Sequence, residues 1–432
     1  MSKAEFVTRL PVILRPDPAR MVIRPYTPSD PQRFEVADHS RAQRIADRVL
    51  ALDELSLQDE LERLLLAFSS RHRDVEMVFL RRFEEVNGLM ICPCKVSRDR
   101  ALLIGSYFCN EYTYEAAALF NPSIVPHPNQ SGVPADSTRF VLSLRGVGEG
   151  HISSVTFRTG VCNSAGAISI DPPSPRPIVL QTEIIDCDGT SEAGVRMFCD
   201  GSHDLSEIVI FPTTPSQRNG IEDVRLVRFQ EENGTVTYFG TYTAFSGQAI
   251  RQELFRTPDF RTFDLLPLRG DATDSKGMAL FPRRIDGKFA MIGRQDNENI
   301  WLLASDDVYE WNGGVKIVQP RWPWEFVQIG NCGSPIEIDE GWLLITHGVG
   351  SARNYCIGAC LLDRNDPSKL LGRVTQPLLR PDADERDGYV PNVMYSCGAM
   401  VHGRTLVMPY AVADSYTRFA TMSVDRLLAV MA

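Results

Sequence analysis

No apolar run in this 432-residue sequence approaches the roughly 18 residues that a membrane-spanning helix needs. Its first residues, MSKAEFVTRLPVILRPDPAR, alternate charge and proline with apolar side chains, so a soluble protein without an export signal is expected. A basic surplus is missing as well: 45 Lys and Arg stand against 55 Asp and Glu, a net charge of −10. Nothing in that balance holds a nucleic-acid backbone or an anionic membrane, and neither partner is expected. The cysteines at 92, 94, 109, 162, 187, 199, 332, 356, 360 and 397 include no CxxC pair and no histidine at zinc-ligand spacing. Reduced, mostly buried thiols in a cytoplasmic protein are the expectation. Cys92-Pro-Cys94 would bind a metal only with further ligands. With 31 Gly, 28 Pro and 43% hydrophobic residues, the chain is neither fibrous nor disordered.

What is present divides the chain near residue 100. Before it, apolar residues recur at helical spacing: Ile45, Val49 and Leu52, then Leu61, Leu64, Leu65 and Phe68, then Val75, Val78, Phe79 and Phe83. Three helices are predicted, the middle one starting at a Ser56 cap supported by Asp59 and Glu60. Residues 1–100 are read as a largely helical N-terminal extension, suited to packing on the main body, covering a site or forming a homo-oligomer.

From about residue 88 onward, short runs rich in Val, Ile, Phe, Tyr and Thr alternate with Gly, Pro, Asn and Asp turns, which predicts an all-β region. A strand, small-residue turn and second strand recur from Arg139, Thr237, Lys288, Gly341 and Arg404. Five such copies suggest a five-bladed β-propeller over residues 101–432, a closed ring that hides its strand edges. Polar residues close the first strand of each copy: Arg145, Thr243, Arg294, His347 and Asp414. Equivalent positions converge near the axis of such a ring, and this mixed polar set suits a hydroxyl-rich ligand. The Gly-rich GVGEGH at 146–151 lacks the context of a nucleotide loop and reads as a blade turn.

The order FNPSIV at 120, LRGVGEG at 144, GIEDVRL at 220, SKGMALFP at 275, WEFVQIGNCGSP at 324, EGWLLITHGV at 340 and YAVADS at 410 resembles glycoside hydrolase family 130. That resemblance spans roughly residues 110–430. It implies a five-bladed propeller and a β-mannoside phosphorylase or β-mannosidase. Asp223 then matches the single catalytic acid, acting through a hydroxyl of the mannosyl ring. Asn121, Arg145 and Asp414 match residues that hold the mannosyl unit. Lys276, Arg294, His347 and Tyr355 match the phosphate pocket. Two departures stand out: Val224 where members commonly have Pro, and Gln328 where they usually have Lys. Gln328 can hydrogen-bond to sugar or phosphate but supplies no charge.

Elementary chemistry runs parallel to the resemblance. Inverting hydrolysis needs two carboxyls, an acid and a base about 6.5–9.5 Å apart. Phosphate is already an anionic nucleophile, so phosphorolysis needs one acid and a cationic cradle. Asp223 with Lys276, Arg294 and His347 fits the second recipe, with inorganic phosphate as co-substrate, an oligosaccharide as substrate, and no metal or organic cofactor. The alternatives are a β-mannosidase with Glu149 or Glu325 as base, and a non-catalytic binding propeller that uses its helices for interaction. Trp322 and Trp324 are candidates to stack on a sugar.

Overall fold

The computed structural model describes residues 7–29, 40–88, 95–185, 193–199 and 204–432. Cys92, Cys94 and Cys187 lie outside them. Backbone contacts divide the chain into two units: Pro18–Tyr114 with Ser174–Val179, and Met1–Asp17, Glu115–Pro173 and Leu180–Ala432.

The first unit is helical, with α1 at Arg41–Leu50, α2 at Glu54–Ser69, α3 at Val75–Asn87 and α4 at Arg98–Ser106. The predicted Ser56 cap is displaced by one turn. Asp53 is the N-cap of α2, its carboxylate accepting from the Ser56 N–H at 2.9 Å, because an ionised side chain is the better acceptor at a helix start. Val49, Leu61, Val75 and Phe79, read from spacing, are buried. Helix α4 falls where the sequence announced strands. Its ALLIG run is buried throughout, so no polar stripe reveals the helical period. Gly105 lets α4 lie against α3, since a Cβ there would overlap the Phe79 carbonyl.

The second unit is mostly β. Strands β2 (Ala118–Pro126), β3 (Ser137–Val147) and β4 (Ser153–Asn163) run antiparallel in that order. One parallel pair, Ser153 with Gly220, joins β4 to a second antiparallel run: β5 (Gly220–Gln230), β6 (Val236–Phe245), β7 (Ile250–Thr257) and β8 (Thr262–Pro267). A separate sheet holds β9 (Ala279–Leu280), β10 (Phe289–Gly293), β11 (Ile300–Ser305) and β12 (Val315–Val318). The next holds β13 (Gln328–Asn331), β14 (Gly341–Val349), β15 (Tyr355–Leu362) and β16 (Leu370–Arg373). The last orders β17 (Met394–Tyr395), β18 (Thr405–Val412) and β19 (Tyr416–Ser423), and its outer place is taken by β1 (Val7–Leu14) from the far end of the chain. The sequence did not announce β1 as a strand.

Each of the five sequence repeats is one antiparallel hairpin: β3–β4, β6–β7, β10–β11, β14–β15 and β18–β19. All nine residues of β14 are buried, which is why GWLLITHGV reads as a continuous apolar run instead of an alternating one. Among the aromatic side chains, Trp311 and Trp342 are fully buried, and Trp324 lies against Gly348 and Gly358 while its indole N–H donates to the Thr375 carbonyl. These are packing roles. Seven described cysteines are free thiols, five of them buried.

Candidate active site

Two bulges create the site. Pairing of β2 with β3 slips between Phe120 and Ser123, and pairing of β5 with β6 slips between Glu222 and Arg225. Asn121 (φ 47°) and Asp223 (φ 56°) occupy these bulges in the left-handed conformation, which Asn and Asp tolerate better than most residues. The Asn121 amide donates to Asp223 Oδ1 at 2.7 Å. Arg145, near the end of β3, donates from Nη1 to the same oxygen at 3.2 Å, from Nη2 to Glu222 Oε1 at 2.8 Å and from Nε to Ser153 Oγ at 2.8 Å. Its guanidinium also lies over the Phe120 ring. Lys276 Nζ meets the other Glu222 oxygen at 2.7 Å.

Glu222 was not singled out from the sequence, although it precedes Asp223 in the same motif. It is 8% exposed and neutralises both Arg145 and Lys276. Lys276, expected at the phosphate, is therefore held on the Asp223 side. Arg225 lies two residues after Asp223 on the same strand. It reaches the Asp223 backbone carbonyl at 3.3 Å, not the carboxylate, and donates to the Tyr395 hydroxyl at 2.6 Å.

The Tyr395 ring leads to a second cluster, standing edge-on to His347 with centroids 4.9 Å apart, while Tyr355 stacks on His347 at 5.9 Å. Arg294 Nη1 lies 3.2 Å from His347 Nε2, and Gln328 Nε2 lies 3.5 Å from it. An arginine can only donate, so Nε2 must accept and the ring proton sits on Nδ1, where it is shared with the Asn331 carbonyl at 3.2 Å. Burial first, then Arg294 and Arg225, holds His347 well below the ordinary histidine range. Held that low, His347 meets Arg294 as a hydrogen-bond acceptor and not as a second cation. Gln328, expected at the sugar, lies beside this pair. Among the described residues Arg294 makes no ion pair, and its Nε is buried without a partner. Gly330 on β13 leaves the space that the imidazole fills, since a Cβ there would overlap the ring. Gly330→Ala is expected to dislodge His347 and raise the KM for phosphate a few-fold, with the fold intact by circular dichroism.

The carboxyls differ in state. Burial pushes Asp223 up, but Arg145, Arg225 and the Asn121 hydrogen bond outweigh it and hold Asp223 below the usual carboxylate range. Asp414, in the turn after β18 with φ 51°, is pushed up to about 6 by burial and the Asp223 charge, against Arg145 and Arg353. Its folded value exceeds its unfolded one, so its contribution is fully present below about pH 4 and is lost as pH rises through about 6. Asp414→Asn is expected to raise Tm at pH 8 by about 1–2 °C and to change it little at pH 4.

Other expected positions fall elsewhere. Thr243 is buried and accepts from the Gln252 amide at 2.8 Å. Glu325 is buried in a structural role: it accepts from Arg373 Nη2 at 2.5 Å and from the Arg321 and Trp322 backbone N–H groups at 2.8 and 3.0 Å. Glu149 stands exposed in the turn between β3 and β4, within GVGEGH. Val224 packs in the core. Among the described residues no group of His, Cys, Asp and Glu is arranged to hold a metal ion, and no helix is long and apolar enough to cross a membrane.

A family model described as beta-1,4-mannooligosaccharide phosphorylase matches residues 190–432, which include every candidate site residue except Asn121, Arg145 and Glu149. The chain is 34% identical over 217 residues to a 1,2-beta-oligomannan phosphorylase of Thermoanaerobacter sp. strain X514, covering 49% of this chain and 71% of the relative. It is 32% identical over 229 residues to a beta-1,2-mannobiose phosphorylase of Listeria innocua, covering 51% of this chain and 62% of the relative. The solved structure of beta-1,2-mannobiose phosphorylase from Listeria innocua shares the fold, with a TM-score of 0.53 at 21% identity over 72% of this chain and 91% of that one. The chain belongs to glycoside hydrolase family 130.

Proposed function

We propose that this protein is an inverting β-mannoside phosphorylase whose five antiparallel runs are the blades of a propeller. One observation carries the choice of nucleophile: Arg294 has no carboxylate partner among the described residues and lies against a histidine held well below its ordinary range, while Asn121 and Arg145 hold the Asp223 carboxylate. Such a pair of clusters accommodates an anion on one side and a sugar on the other. The named relatives act on β-mannosides by phosphorolysis, and their similarity supports the same chemistry here.

In this reading a phosphate oxygen attacks C1 of the terminal mannosyl unit. The C1–O bond to the rest of the saccharide breaks, and the leaving oxygen takes a proton that originates on Asp223, relayed by a ring hydroxyl. Attack opposite the leaving group turns the β-linkage into α-mannose 1-phosphate. Asp223 is ionised in the empty site, so occupancy must raise its pKa. Saccharide entry deepens burial, and a phosphate dianion offsets the cations that hold the carboxyl low. Glu325, a candidate base for the hydrolase alternative, is already engaged by Arg373. A crystal soaked with phosphate and mannose tests the assignment. Phosphate is expected on Arg294, with the sugar on Asn121, Arg145 and Asp414; phosphate bound elsewhere would overturn it.

A further inference from the structure

His151 and Tyr389 stack with ring centroids 5.9 Å apart and planes 29° from parallel, yet Tyr389 is 68% exposed and His151 is exposed as well. Two rings held against each other in water form an amphipathic surface of the kind that receives the C–H face of a pyranose. Their loops start from the mannosyl half of the site. His151, left-handed at φ 57°, stands in the β3–β4 turn, whose stem pairs Val147 with Ser153 and carries the Arg145–Ser153 hydrogen bond. The Tyr389 N–H donates to Ser415 Oγ at 2.9 Å, and the Val390 N–H donates to the Ala413 carbonyl at 3.0 Å, so this loop is fastened on both sides of Asp414. Neither loop belongs to the hairpins that carry Arg294 and His347. In an inverting displacement the nucleophile and the leaving group occupy opposite faces of C1. With Arg145 and Asp414 at the mannosyl unit, exposed rings on the loops fastened beside them face the saccharide beyond that unit.

We propose that His151 and Tyr389 form the stacking platform for the saccharide unit released in the reaction. This deepens, and rests on, the phosphorylase reading. Tyrosine supplies a broad face with few rotatable bonds, and His151 backs it.

Steady-state kinetics with β-linked mannobiose and inorganic phosphate test this on the wild type, Tyr389→Ala, Tyr389→Phe and His151→Ala. Tyr389→Ala is expected to raise the KM for mannobiose about tenfold and to leave the KM for phosphate unchanged, whereas Tyr389→Phe, which keeps the ring, stays within about twofold of wild type. His151→Ala is expected to shift the same constant in the same direction, by less. Because both side chains are exposed, Tm is expected to stay constant. An unchanged mannobiose KM in Tyr389→Ala overturns the platform. If the wild type performs no phosphorolysis, calorimetric binding of mannobiose without phosphate separates the two claims. Weaker binding by Tyr389→Ala supports the platform while the activity reading fails; equal binding, or no binding by the wild type, overturns the platform too.

Discussion

Asp223→Asn is expected to lower kcat for phosphorolysis by about 10²–10⁴-fold, the range a positioned general acid supplies. Asparagine keeps the size of the side chain and tolerates the left-handed backbone at φ 56°, so the bulge in β5 is expected to persist. Arg145 keeps its Glu222 partner, which limits the loss of stability. The pH profile adds a sign. In the wild type the reacting form carries a proton on Asp223, so the rate falls as pH rises past the value this group reaches in the occupied site, and the variant lacks that limb. Retention of kcat within about tenfold would mean that another group delivers the proton.

Arg294→Met is expected to raise the KM for phosphate by about 10–100-fold, because hydrogen bonds to charged groups contribute about 1.5–3 kcal/mol and each 1.4 kcal/mol is tenfold. The KM for saccharide is expected to hold. Folding is expected to tolerate the change: among the described residues the guanidinium pairs with no carboxylate, and its Nε is already buried without a partner, so its removal strands no charge. A phosphate KM that does not move would place the anion elsewhere.

Much of the β architecture was legible because each repeat is a local object. A hairpin such as β14–β15 is written in consecutive residues, from Gly341 to Leu362, and its small-residue turn marks the register. Helix α4 and strand β1 were not legible for opposite reasons. Leu102, Leu103 and Ile104 are all buried, which erases the helical stripe, and β1 owes its pairing to β19, more than four hundred residues away. Asp223, Asn121 and Arg145 were named from motif order and meet at hydrogen-bond distance, so motif order carried that half of the site.

The charge logic was harder to read. Lys276, a candidate phosphate ligand, pairs with Glu222, one residue from the acid, a partner that the sequence reading did not name. His347 looked cationic, but burial and a neighbouring arginine keep it neutral. Sequence shows which charges exist, and only their neighbours decide which are free. Against the acidic total of −10, Arg294 is a cation with no carboxylate partner among the described residues.

The central claim is that phosphate, not water, receives the mannosyl group. The most direct measurement incubates the protein with β-linked mannobiose with and without inorganic phosphate, following products by phosphorus-31 and proton NMR. The account predicts α-mannose 1-phosphate and mannose in equal amounts, formed only when phosphate is present. Release of mannose at the same rate without phosphate, with no sugar phosphate formed, would contradict it.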